Sequence, residues 1–165
     1  MQVQSETDLA GLFDRVVEGQ LPGRGAGAWT SFLRAHATLM RQLDMDLERD
    51  TGLALADFDV LAQLARAGGQ LRMTELADRA LISRSGMTRR VARLVDEGLV
   101  RRADAQVDGR GVVVGLTDVG VGRLTETAPV HAHGIADYFL SRLDDTDLAV
   151  LESALNKVTL DCTFG

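Results

Sequence analysis

The sequence predicts a mainly α-helical protein with a small β-ribbon, and three observations predict it. Apolar residues recur every three or four positions over most of the 165 residues, the spacing of one face of a helix. Glycine and proline interrupt that period at only a few places, so the helices are long. One stretch departs from it: LVRRAD and GVVVGLT, within residues 99–117, read as two strands joined by a polar loop. Hydrophobic content of 45% and charged content of 25% are ordinary for a folded domain, and the length supports one core, or one core plus a dimerisation arm.

The elements follow in order. Residues 6–18 place Leu9, Leu12, Phe13, Val16 and Val17 at helical spacing, and LPGRGAG at 21–27 breaks that helix. A long helix is expected from about Ala28 to Asp50, carrying Trp29, Phe32, Leu33, His36, Leu39, Met40, Leu43 and Leu47, with Gly52 as its stop. LALADFDVLAQLARAGG repeats the pattern through Leu55, Phe58, Leu61 and Leu64 and stops at Gly68 and Gly69. Thr74 is the expected cap of a short helix that buries Leu76, Ala80 and Leu81. Ser83 caps the next, on which Met87, Val91, Leu94 and Val95 form one apolar stripe. The opposite side carries Ser85, Thr88, Arg89, Ala92 and Arg93. After the ribbon, a long helix runs from Thr117 to about Leu140 with a kink at Pro129, and a final one spans about Asp145 to Cys162.

Charge is distributed unevenly. The chain has 18 basic and 24 acidic residues, a formal −6, yet residues 79–110 hold eight arginines (79, 84, 89, 90, 93, 101, 102, 110) against four acids (96, 97, 104, 108). An acidic body with one positive segment has the electrostatic footprint of phosphate binding. That segment is a short helix, a turn, an arginine-rich helix and a ribbon tipped by Asp108 and Arg110, the order of a winged helix-turn-helix. A helix in the major groove meets a distinguishable pattern of donors and acceptors. Ser85, Thr88 and Arg89 are the candidates for base edges, and Arg84 and Arg93 for phosphate, with Ser83 at the helix start. Arg110 would enter the neighbouring minor groove, where Asp108 orients basic neighbours rather than touching DNA. The alternative is a solvated arginine face paired to Asp96 and Glu97.

At this point the chain resembles the MarR family of bacterial transcriptional regulators, over roughly residues 28–162. The resemblance is carried by SRSGMTRRVARLVDEGLV, the arginine after it, the Asp-x-Arg of VDGRG, and the LTxxG of Leu116, Thr117 and Gly120. Gly109 stands where the family often has a second basic residue. The resemblance implies a homodimer that binds double-stranded DNA at a pseudo-palindromic operator, repression being the commoner behaviour; a cytoplasmic location is expected from the sequence, and no cofactor or metal is expected. It divides the chain into an N-terminal helical arm and linker (1–27), a helical dimerisation region (28–52 and 118–165) and a winged helix-turn-helix domain (53–117). It also implies a small aromatic or carboxylate effector between the dimer helices and the winged domain, where Trp29, His36, Phe58, Asp59, Arg90 and Arg102 are the candidates. Asp59, Arg90 and Arg102 fall where urate-responsive members have ligand-linked residues, but the aromatic that such members carry in the N-terminal arm has no match between residues 1 and 27. Structural roles stand beside this: Trp29 and Phe58 as core, His36 at an interface, Asp59 with Arg90 as an ion pair.

Other classes find less support. Enzyme chemistry needs titratable groups gathered in a pocket, and the three histidines, His36, His131 and His133, do not suggest one. No phosphate loop, nucleophile elbow or metal motif occurs. The N-terminus lacks the pattern of a signal peptide, and no run has the roughly 18 apolar residues of a membrane span. The single cysteine, Cys162, excludes an intrachain disulfide and leaves a redox-responsive regulator as an alternative. A winged-helix module that binds an acidic protein is the other.

Overall fold

A computed structural model describes residues 18–21, 23–104 and 111–161. The expected helix at 6–18, save a 3-10 turn at Glu18–Gln20, the wing-tip residues Asp108, Gly109 and Arg110, and Cys162 lie outside the described residues. The chain forms two units, Met1–Met40 and Arg41–Gly165, and helix α1 (Gly25–Thr51) begins in the first and ends in the second.

In the first unit, Trp29, Phe32 and His36 line one side of α1, with ring centroids 6.1 and 6.3 Å apart in succession. Trp29 and Phe32 are exposed, so Trp29 is not core within this chain.

The second unit is built on helix α2 (Leu55–Arg66). Its cap position, Ala54, has no side chain to offer an amide, so Asp44 of α1 accepts from the Leu55 N–H at 2.7 Å. A strand that the helical reading missed, β1 (Gln70–Arg72), follows, because three residues are too few to show a period. Helix α3 (Met73–Arg79) starts one residue before the expected cap, Thr74. Glu75 closes its first turn by accepting from the Arg72 N–H at 3.0 Å. The turn into helix α4 (Arg84–Asp96) then corrects the expected burial of Leu81. Leu81 has φ +54° and is 74% exposed: the chain reverses there, and its side chain swings out of the helix face that the spacing implied.

Strands β2 (Val100–Asp104) and β3 (Val112–Leu116) form the expected ribbon. The sheet has three strands in the order β1-β3-β2, all antiparallel, with Val114 opposite both Leu71 and Arg102. Leu47, Leu61, Leu64, Leu76, Met87, Val91, Leu94, Val100 and Val114 close one core, each 2% exposed or less. At about 1.5–3 kcal/mol per buried side chain, this core is what keeps α4 in place.

Helix α5 (Asp118–Tyr138) runs through Pro129, and a 3-10 turn (Leu140–Arg142) leads to helix α6 (Asp145–Asp161). The LTxxG motif now has a physical reason. Thr117 donates to the Gly98 carbonyl at 2.7 Å and accepts from the Gly120 N–H at 3.0 Å, capping α5. A Cβ on Gly120 would lie 2.0 Å from the Leu99 carbonyl oxygen, so only glycine lets α5 approach. Tyr138 ties α5 back to α1, donating to Asp46 at 2.5 Å and holding that carboxyl below its usual range. The Arg123 guanidinium donates to the Thr51 carbonyl. Among the described residues no helix is long and apolar enough to cross a membrane.

Candidate nucleic-acid interface

Helix α4 presents two faces because its apolar residues recur at i, i+4 and i+7. Met87, Val91 and Leu94 have no exposure, and Arg84, Ser85, Thr88 and Arg89 are exposed opposite them. Ser83 accepts from the Gly86 N–H at 3.1 Å, so the helix begins with its cap where expected. The Ser83 and Ser85 hydroxyls are 3.3 Å apart. Thr88 donates to the Arg84 carbonyl at 2.9 Å.

Arg90 and Arg93 differ from Arg84 and Arg89. Both reach Asp57 on α2: Arg90 Nη1 lies 2.6 Å from Oδ1, and Arg93 Nη2 lies 2.7 and 2.6 Å from Oδ1 and Oδ2. Asp57 is 5% exposed, and a carboxylate so buried needs compensation, which the two guanidiniums provide. The hydrogen bond and charge of Asp57 raise the Arg93 pKa further above its ordinary value. Arg93, which the spacing assigns to the outward face, is therefore turned inward at its tip, while its stem remains half exposed. The ion pair considered for Asp59 and Arg90 is formed by Asp57 instead, since α2 points residue 57 at α4. Asp59 receives a long hydrogen bond from Gln63 at 3.4 Å.

Sequence reasoning passed over Asp57, although a signal existed: Asp57, Leu61 and Leu64 share one helix face, so a carboxylate there is buried. Arg102 braces α4 from the ribbon, donating to the Thr88 carbonyl at 3.0 Å.

The six effector candidates fall in both units, Trp29 and His36 in the first and Phe58, Asp59, Arg90 and Arg102 in the second. Phe58 is 7% exposed and packs on His131, with ring centroids 4.7 Å apart. Arg90 and Arg102 are both committed to holding α4, and Trp29 and His36 belong to the first unit. His131 is the residue that spacing did not reveal: its Nδ1 is buried with no hydrogen-bond partner, and burial pushes its pKa down. His133 is exposed beside Asp137 at 3.2 Å.

The arrangement matches that of known proteins. The MarR family model matches residues 51–111, from the end of α1 to the start of β3. The DNA-bound structure of Sco3205, a MarR family transcriptional regulator from Streptomyces coelicolor, is 34% identical. It covers 88% of this chain and 95% of its own, with a TM-score of 0.80. AbsC, a second MarR family regulator from that organism, is 29% identical over 84% of this chain and 94% of its own, with a TM-score of 0.77. PecS, an HTH-type transcriptional regulator of Dickeya dadantii, is 29% identical over 108 residues; that match spans 64% of this chain and 64% of PecS, just under two thirds of its length. With a relative above 30% identity matched over nearly its full length, and with the winged domain, the LTxxG cap and the α4 face all in place, the chain belongs to the MarR family of transcriptional regulators.

Proposed function

We propose that this regulator binds a pseudo-palindromic operator as a homodimer, setting α4 of each subunit in the major groove and acting as a repressor in the cytoplasm. The observation that carries the reading is the exposed run Arg84, Ser85, Thr88 and Arg89 on a helix whose other face has no exposure. A rigid backing is what base readout requires, because a bidentate arginine–guanine pair tolerates little displacement. Arg89 takes the base edge together with Ser85 and Thr88, Arg84 takes phosphate, and Ser83 fixes the helix start. Arg110 enters the minor groove with Asp108 orienting its neighbours.

Dimerisation is supported by the terminal helices. Trp29, Phe32 and Leu33 on α1, and Val150, Leu155 and Val158 on α6, are large apolar side chains at least 37% exposed in one chain. A small aromatic or carboxylate effector acts by favouring one spacing of the two α4 helices. The Phe58–His131 contact is its most suitable target, since it joins the winged domain to α5 and leaves a ring nitrogen without a partner.

Anisotropy on a duplex from upstream of the protein's own gene, against a shuffled duplex and across a salt series, tests the reading. Arg89→Ala is expected to cost about 1–3 kcal/mol and relax one base position, and Arg110→Ala to weaken all sequences that share the narrow-groove element. Parental affinity in both variants would overturn the docking. A calorimetric screen of aromatic acids with neither heat nor DNA release would remove the effector.

A further inference from the structure

Asp57 is 5% exposed, lies in the first turn of α2, and gives both carboxylate oxygens to one helix, α4. Its contacts are 2.6–2.7 Å long, at the short end for charge-assisted hydrogen bonds between a guanidinium and a carboxylate. Arg90 and Arg93 leave α4 three residues apart, so one carboxylate between them resists both rotation and sliding of that helix. Apolar packing by Met87, Val91 and Leu94 holds the helix against the core, and the two ion pairs add a directional constraint to it. The same bonds occupy Arg93 Nη2, while Nε faces Glu97 at 3.9 Å. An arginine placed beside the groove-facing run is thereby held by the protein's own carboxylates.

We infer that Asp57 is a positioning residue for DNA recognition: it fixes the rotation of α4 through Arg90 and Arg93, and it withholds Arg93 from phosphate. This rests on the proposed docking of α4. The inference makes Asp57 an internal competitor of the DNA backbone. It lowers the sequence-independent part of the affinity, and it preserves the part that depends on where Arg89 and Ser85 point. A regulator gains specificity from that exchange, because non-specific binding is almost wholly the phosphate contribution.

Salt dependence separates this role from a purely structural one. Each neutralised phosphate adds about −0.9 to the slope of log affinity against log salt. Arg93→Gln in the full-length protein is expected to leave the slope on the upstream duplex at its parental value. Asp57→Asn, which frees Arg93, is expected to steepen it by about 0.9 for each phosphate reached and to reduce the ratio of native to shuffled affinity at least fivefold. A slope shallower by about 0.9 in Arg93→Gln would place Arg93 on phosphate and overturn the inference. So would an Asp57→Asn protein, folded by circular dichroism, whose slope and ratio both match the parent. Should Asp57→Asn fail to fold, Arg93→Gln decides alone. Failure of the parent to show salt-dependent duplex binding would instead sink the docking of α4, on which this inference depends.

Discussion

The winged domain and the terminal helices treat apolar side chains in opposite ways. Between Leu53 and Val114 the large hydrophobic residues other than the outward-turned Leu81 close on one another, and Leu61, Leu64, Leu76, Met87, Val91 and Leu94 have no exposure. On α6, by contrast, Val150, Leu155 and Val158 stay open to solvent, and no residue of that helix is buried among those described. Both regions have the same apolar periodicity, so periodicity identifies helix faces without telling which surface covers them. A domain that buries its own stripe is complete in one chain, and the bare stripe of α6 is the surface on which the proposed dimer rests.

The largest expected effect comes from breaking the joint between the two regions. Gly120→Ala forces a methyl group against the Leu99 carbonyl oxygen, 2.0 Å from the ideal Cβ, and backbone cannot yield as a side-chain end can. We expect a loss of about 3 kcal/mol or more, read as a fall in the thermal midpoint. A midpoint within a degree or two of the parent would mean that α5 can be repositioned cheaply, and that the LTxxG cap is dispensable.

Next comes a substitution that spares the winged core. Val150→Glu with Val158→Glu places two carboxylates eight residues apart on the exposed stripe of α6. The protein should sediment as a monomer with an unchanged helical circular dichroism signal. Its affinity for a two-half-site duplex should fall roughly 100-fold, the loss of the second tethered contact. A persistent dimer would show that α6 is not the covered surface and would move the interface to α1.

Much of this was legible in the sequence, and what was not has a physical reason. Helix α4, its Ser83 cap, the ribbon and the terminal helices follow from apolar spacing, capping chemistry and glycine stops, all of which act within a few residues. Strand β1 escaped because three residues show no period. It exists because β3 supplies a partner from more than forty residues away. Leu81 escaped because continuing a helical period assumes that the helix continues. Asp57 and His131 escaped for a third reason: their roles are set across helices, by Arg93 on α4 and Phe58 on α2. The sequence distinguished the face of α4 that meets the core from the face that meets solvent. It did not distinguish an arginine that reaches solvent from one that doubles back.

Leu81 offers a smaller test, within the winged domain alone. A leucine at φ +54° bears the clash of its Cβ with the backbone, and with 74% exposure it gains little from burial. Leu81→Gly should stabilise the fold by about 0.5–1 kcal/mol, after the extra freedom glycine gives the unfolded chain is subtracted. Chemical denaturation measures it. A stabilised variant that keeps its DNA affinity would show the strain to be local, whereas one that binds DNA more weakly would assign the exposed side chain to the groove.

The smallest expected effect lies at the seam between α2 and α5. His131 is held against Phe58, and desolvation lowers its pKa; Asp59 partly opposes that, and Arg66 adds to it. In the unfolded chain the imidazole titrates near about 6.5. Above that value both states are neutral and the contact is intact. As pH falls below it the unfolded state takes the proton first, so stability is lost until pH drops through the lower folded value. His131→Phe keeps a ring on Phe58 and removes the titration. The fall in thermal midpoint between pH 7.5 and 5.5 should therefore be smaller in the variant than in the parent. An equal fall would mean that His131 moves to solvent once protonated without loosening the seam, and the two regions would then be joined at Thr117 and Gly120 rather than by this ring contact.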